Sequence, residues 1–212
     1  MMKISTVFTR GDDGLVRDEV DPRAEVVLSG RCIATKKFDG SCCLFHGGML
    51  WKRRMLKVER PEGEGILSQI AILPFGGGDG GLTELVRPLN LPENFIAAQD
   101  VVWQDDDTGR IPGWVPVGDD PEDQWHREAL NASDVLREGV TYELLGPAVQ
   151  GNKQCLSSHI LTRHGMFSLM NAPIDFAGLR EYLEDFPMEG IVWWLDDEPV
   201  AKIKRRDFGL EW

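Results

Sequence analysis

Lys37-Phe38-Asp39-Gly40, entered from the strand-like run Cys32-Ile33-Ala34-Thr35-Lys36, is the stretch around which the rest of this chain is organised. A K-x-D-G string alone arises in roughly one chain in twenty-five of this length at average residue usage. Three later segments complete it: Tyr142-Glu143-Leu144-Leu145-Gly146, Glu189-Gly190-Ile191-Val192 and Lys202-Ile203-Lys204. Together they supply an amine nucleophile, two separated carboxylates and a lysine pair. That set suits attack on the α-phosphorus of a nucleoside triphosphate.

Working outward, residues 42–46 and 49–54 read as two strands joined by Gly47-Gly48, because a glycine pair accepts the positive φ of a tight hairpin turn. Lys37 then sits on a turn before a hairpin whose second strand brings basic side chains back towards it. Arg53 and Arg54 alternate in facing, so one of the two points into the pocket, where a guanidinium can hold a phosphate bidentately. Parity leaves the choice open. Lys36 faces away from Lys37. Residues 66–73 fit a short helix or a buried strand. The glycine-rich run 75–81 lacks the G-K-[ST] of a Walker loop and reads as a surface loop or lid. Residues 103–125 are acidic and punctuated by Pro112, Pro116 and Pro121, which predicts a loop-rich region. Strands are expected at 140–145, 160–163, 190–195 and 199–204, with a turn at Asp196-Asp197-Glu198. The clearest helix is 175–183, capped by Asp175, with Phe176, Leu179 and Leu183 on one face. The whole reads as α+β, richer in strand than helix and mostly antiparallel.

The chemistry constrains the site further. A lysine attacks phosphorus only as the neutral amine, and its unperturbed pKa is about 10.4. Burial and neighbouring cations lower it; Lys202, Lys204 or a magnesium ion can be those cations. Two apart on a strand, Lys202 and Lys204 face the same way. A bound polyphosphate explains two ammonium groups on one face; a solvated edge strand is the bland alternative. Glu189, just ahead of an apolar strand, is the first metal-side carboxylate and Asp39 the second. Glu143 lies inside an apolar strand and needs a donor, either a ribose hydroxyl or an arginine.

Composition sets the bounds. The chain has 212 residues, 42% of them hydrophobic, with seven tryptophans, enough for a sizeable core. Its formal net charge of −12 argues against binding along a long duplex. Basic residues nevertheless gather at 51–57 and 202–206 and acidic ones at 104–107 and 118–123, so a local basic site on an acidic body is expected. Cysteines 32, 42, 43 and 155 show no C-x-x-C spacing, which disfavours structural zinc and suits reduced thiols. With no signal-peptide pattern and no spanning apolar run, the expectation is a soluble, cytoplasmic protein with no membrane association and no obligate protein partner.

The four segments resemble motifs I, III, IV and V of the covalent nucleotidyltransferases, the superfamily of ATP-dependent ligases and messenger-RNA capping enzymes. Cys42 stands where DNA ligases usually carry arginine, which makes the chain more similar to RNA ligases. Tyr142-Glu143-Leu144-Leu145-Gly146-Pro147 with Gln150-Gly151-Asn152 is similar to a small RNA ligase family that includes a vertebrate 5′–3′ RNA ligase. Gly113-Trp114-Val115-Pro116-Val117, Trp125-His126 and Arg163-His164-Gly165 are similar to that group too. The resemblance spans about residues 30–208. It implies one adenylyltransferase domain over 1–212, with the ATP-grasp-like ligase catalytic fold and no oligonucleotide-binding domain or sixth motif. It also implies ATP and Mg2+ (or Mn2+) as cofactors, and as partner an RNA with 5′-phosphate and 3′-hydroxyl ends. Lys37 would form lysyl–AMP, with Asp39 and Gly40 beside it. Glu143 would contact the ribose, Glu189 the metal side, Lys202 and Lys204 the phosphates. His164 or Phe167 would stack on adenine. A minimal DNA ligase, a GTP-using capping-type enzyme, a noncatalytic nucleotide- or RNA-binding protein and an unrelated α+β domain are the competing readings.

Overall fold

Residues 4–59, 94–98, 102–103 and 108–212 are described by the computed structural model of this chain. The expectations for 66–73 and 75–81 lie outside them. In chain order the strands are β1 (Ser5–Thr6), β2 (Phe8–Arg10), β3 (Val16–Val20), β4 (Ile33–Lys37), β5 (Ser41–His46), β6 (Met49–Glu59) and β7 (Ile96–Ala97). There follow β8 (Val102–Trp103), β9 (Thr108–Pro116), helix α1 (Gln124–Asn131), β10 (Val140–Leu145), β11 (Ile160–Arg163), helix α2 (Phe176–Asp185), β12 (Gly190–Leu195) and β13 (Glu198–Lys204). The chain is α+β with mostly antiparallel sheets, as its patterning predicts. It divides into two compact units, one drawn from Gly40–Thr162 and one from Lys3–Asp39 and Arg163–Trp212. The division falls inside the K-F-D-G run. The first is called the hairpin unit and the second the lysine unit below.

The hairpin unit is built on a sheet of order β11-β10-β5-β6-β9-β7, with β8 also on β9. Gly47 and Gly48 turn β5 into β6 at φ of 60° and 73°, the left-handed region that glycine enters without steric cost. Period-two alternation sorts the side chains. Cys43, Leu50, Tyr142 and Leu144 pack on one face with Ala129 of α1, and Leu44, Trp51 and Trp114 pack on the other. The loop-rich reading of 103–125 is corrected over its described part, residues 104–107 lying outside the described residues. Thr108–Pro116 is a nine-residue strand and Gln124–Asn131 a helix. Pro112 sits opposite Met55 and Pro116 opposite Trp51 in the β6–β9 ladder. Proline removes a donor but keeps its carbonyl, and the carbonyl of Pro112 accepts from the Ala98 N–H at 2.8 Å.

The lysine unit has a four-stranded sheet of order β1-β13-β12-β4, parallel only where β1 meets β13. β2 and β3 pair separately. Strand β4 runs one residue beyond the predicted strand, so Lys37 is its last residue and not part of a turn. Asp196 and Asp197, at φ of 50° and 63°, turn β12 into β13. Helix α2 forms as expected: the Asp175 carboxylate accepts from the Gly178 N–H at 2.8 Å, and Leu179 and Leu183 are fully buried. They pack with Val7, Phe8, Ile191, Trp193, Ala201 and Ile203. Each buried Val, Leu, Ile or Phe side chain among them contributes about 1.5–3 kcal/mol by leaving water. A one-residue slip of β12 or β13 would expose them, so the register is firmly set. With Ile191, Trp193, Ala201 and Ile203 turned inward, Gly190, Val192, Lys202 and Lys204 occupy the opposite face.

Candidate active site

In the lysine unit, β12 lies between β4 and β13, and Gly190 is paired with Lys37 on one side and Lys204 on the other. A Cβ at Gly190 would collide with the carbonyl oxygen of Ile203, so only glycine fits between the two lysine-bearing strands. The preceding residue, Glu189, is 7% exposed and supplies what the missing side chain does not. Its Oε2 accepts from Lys37 Nζ at 2.6 Å, and its Oε1 accepts from Lys204 Nζ. One buried carboxylate is thus clamped by two ammonium groups. Lys37 Nζ also reaches the Phe38 carbonyl at 3.3 Å. Lys202 lies two cross-strand rows along, opposite Val192 and on the same face. The backbone of the clamp is fastened as well, by the Arg205 N–H donating to the Glu189 carbonyl at 2.9 Å.

Asp39 takes a different partner. Its Oδ2 accepts from the Trp212 indole N–H at 3.1 Å. Phe167, half exposed, sets its ring edge-on to Phe38 with centroids 5.4 Å apart, and Lys36 Nζ stands 5.2 Å over the Phe38 ring. His164 is partly buried just after β11.

In the hairpin unit, Glu143 pairs across the sheet with Cys42 and is 8% exposed. The donor it needs is a backbone amide: the Gly40 N–H gives its hydrogen to Glu143 Oε1 at 3.0 Å. A Cβ at Gly40 would collide with the Leu144 carbonyl, so glycine is what lets the two backbones approach. Thus the glycine of the first segment and the carboxylate of the second are one local device.

Arg53 and Arg54 resolve by face. Arg54 is exposed and its Nη2 binds Glu122 at 2.8 Å. Arg53 shares its face with Trp51 and Trp114, its guanidinium 5.1 Å over the Trp114 ring. Its Nη1 is buried and lacks a hydrogen-bond partner among the described residues, and burial draws its pKa below the ordinary arginine value. A buried cationic donor without an acceptor is costly unless an anion completes it.

One cluster escaped sequence reasoning. Lys52 is 5% exposed and bridges Asp123 at 2.5 Å and Glu122. Both acids belong to an acidic run that reads as solvated surface. The available signal was alternation: Leu50, Lys52 and Arg54 share one face of β6, and Leu50 is core.

The RNA ligase 1 family profile matches residues 133–212, the stretch carrying Glu143, Glu189, Lys202 and Lys204. RNA ligase 1 of Danio rerio is 29% identical over 224 residues, 84% of this chain and 68% of the relative. RNA ligase 1 of Rattus norvegicus is 28% identical over 225 residues, 85% of this chain and 68% of the relative. RNA ligase 1 of Mus musculus is 30% identical over 226 residues, again 85% and 68%. With that identity sustained over more than two thirds of the mouse protein, the chain belongs to the RNA ligase 1 family.

Proposed function

We propose that this protein is an ATP-dependent RNA ligase that works through a covalent lysyl–AMP on Lys37, within a nucleotidyltransferase-type catalytic fold. The observation that carries the reading is the clamp of Lys37 and Lys204 on the Glu189 carboxylate, at the lysine of a K-x-D-G run. In the first step Lys37 Nζ bonds to the α-phosphorus of ATP while the bond to the bridging oxygen breaks and pyrophosphate leaves. The proton shed by the amine has an acceptor in place, Glu189 Oε2 at 2.6 Å. Lys204, with Lys202 on the same face, then meets the negative charge spread over the transferring phosphoryl group. Within the hairpin unit itself, the buried Arg53 Nη1, unsatisfied among the described residues, suits a phosphate oxygen, and Glu143, steadied by the Gly40 N–H, suits a hydroxyl donor. In the second step an oxygen of the RNA 5′-phosphate displaces Lys37 from AMP. In the third the 3′-hydroxyl attacks that 5′-phosphorus and AMP leaves, sealing the strand.

Magnesium takes oxygen ligands, mostly phosphate and water with one or two carboxylates. Asp39, whose Oδ1 lies outside its bond to Trp212, fits such a set. Glu189 fits less well, because both of its oxygens already accept from lysines. A cation held there would neutralise triphosphate charge and favour departure of pyrophosphate.

The test is intact mass after incubation with magnesium and either ATP or GTP, without nucleic acid. A gain of one AMP mapped to Lys37 is expected. No adduct in folded protein would overturn the reading in favour of a noncatalytic binder. Offering 5′-phosphorylated RNA beside nicked DNA then separates the two ligase classes.

A further inference from the structure

Trp212 has no place in the motif set, yet the fold delivers it to the nucleophile's own segment. Its indole N–H donates to Asp39 Oδ2, two residues after Lys37. The approach is built. After Lys204 the chain makes a 3-10 turn, Arg205–Phe208, whose Asp207 is 1% exposed. Asp207 accepts from the Lys204 N–H at 2.8 Å and from Arg10 Nη2 at 2.6 Å. Gly209, at φ 75°, reverses the direction. Arg205 then ties down Leu210 and Glu211: its carbonyl accepts from the Leu210 N–H at 3.2 Å and its Nε donates to the Glu211 carbonyl at 2.7 Å. The same residue's N–H holds the Glu189 backbone. The clamp and the Trp212 strap therefore share one anchor.

We infer that Trp212 is a positioning residue of lysine adenylylation, one that fixes the Asp39 carboxylate beside Lys37. The inference rests on the proposed function. Trp212 is partly exposed and is not among the residues that form or pack against the apolar core of its unit. An indole N–H is a donor only and cannot serve a cation. Bonded to a carboxylate it makes a charge-assisted hydrogen bond. That bond takes up Oδ2, restricts rotation of the Asp39 side chain and leaves Oδ1 for the nucleotide or the cation it carries.

The experiment uses the full chain with Trp212→Phe, which keeps an aromatic ring and deletes the donor. Loss of one hydrogen bond to a charged group predicts a fall of about tenfold in the rate of lysyl–AMP formation, with the unfolding midpoint unchanged. In an Asp39→Ala background the same substitution should change the rate less than about twofold, because Trp212 acts through Asp39. A second readout is independent of activity: the indole N–H resonance that Trp212→Phe removes should shift in Asp39→Ala. An undiminished rate in Trp212→Phe, an equal tenfold loss in both backgrounds, or an indole resonance indifferent to Asp39 would each overturn the inference. Wild-type protein that forms no adduct fails the proposed function itself; a wild-type adduct with a fully active Trp212→Phe fails this inference alone.

Discussion

Lys52 in the hairpin unit, buried, and Lys37 in the lysine unit, partly buried, are both held by carboxylates, but their clusters differ in charge. Lys52 bonds Asp123 and Glu122, and Glu122 also takes Arg54, so two cations meet two anions. Lys37 shares the single carboxylate of Glu189 with Lys204. The first cluster is complete in itself. Burial works to raise the Asp123 pKa, yet the Lys52 ammonium and the Gly118 N–H prevail and hold it below the usual carboxylate range. Among the described residues the second has one more cation than anion, an excess that a polyphosphate would satisfy. Charge balance thus distinguishes the two clusters, and under the proposed function the second is the one that would meet an anion.

The comparison can be broken by substitution. The largest effect is expected at the proposed nucleophile: Lys37→Ala should abolish the AMP adduct completely while leaving the unfolding transition in place, as read by intact mass and thermal melting. Next comes Lys52→Ala. It strands Asp123, 1% exposed, without its cation, and should lower the free energy of unfolding by about 3–5 kcal/mol in denaturant titration. Lys204→Ala should do the reverse. Adenylylation should fall by about ten- to a hundredfold, the cost of one charge-stabilising contact in the transition state, while stability holds because the surplus cation is gone. Equal destabilisation by Lys52→Ala and Lys204→Ala would erase the distinction between the clusters.

The smallest effect concerns pH. Burial pulls the His126 pKa below its ordinary value of 6.5, against the opposing pull of Asp123 3.8 Å away and with Lys52 and Arg54 adding to the depression. Its folded-state pKa lies below the unfolded one. Its stabilising contribution is therefore complete above about pH 6.5 and lost as pH falls towards the depressed value. His126→Phe should flatten that part of the stability–pH curve. A curve of unchanged slope below pH 6.5 would show that another group carries it.

Much of the architecture was legible because its causes are local. Short apolar, strand-prone runs mark β5, β6, β10 and β12, and the spacing of Ala201, Lys202, Ile203 and Lys204 marks β13. Gly47-Gly48 marks a turn, and Asp175 ahead of Phe176, Leu179 and Leu183 marks α2. Residues 108–116 misled because proline counts against strands, and the compensation is a long ladder with β6 that no local rule anticipates. Asp123 misled because five of the six residues from Gly118 to Asp123 are acidic or proline, a pattern that reads as solvated; only the packing of Lys52 shows it to be buried.

By itself, the sequence determined which groups are present: the amine at Lys37, the carboxylates at Asp39, Glu143 and Glu189, the lysine pair, and the glycines at 40 and 190 that keep backbones close. Tertiary structure decided whom each group meets. It gave both oxygens of Glu189 to lysines, matched Glu143 with the Gly40 N–H, turned Arg53 inward and Arg54 outward, and brought Trp212 to Asp39. The physical reason is separation along the chain. Lys37 and Glu189 are 152 residues apart, Gly40 and Glu143 103, and Asp39 and Trp212 173. Local periodicity carries no information over such intervals; strand register and core packing do.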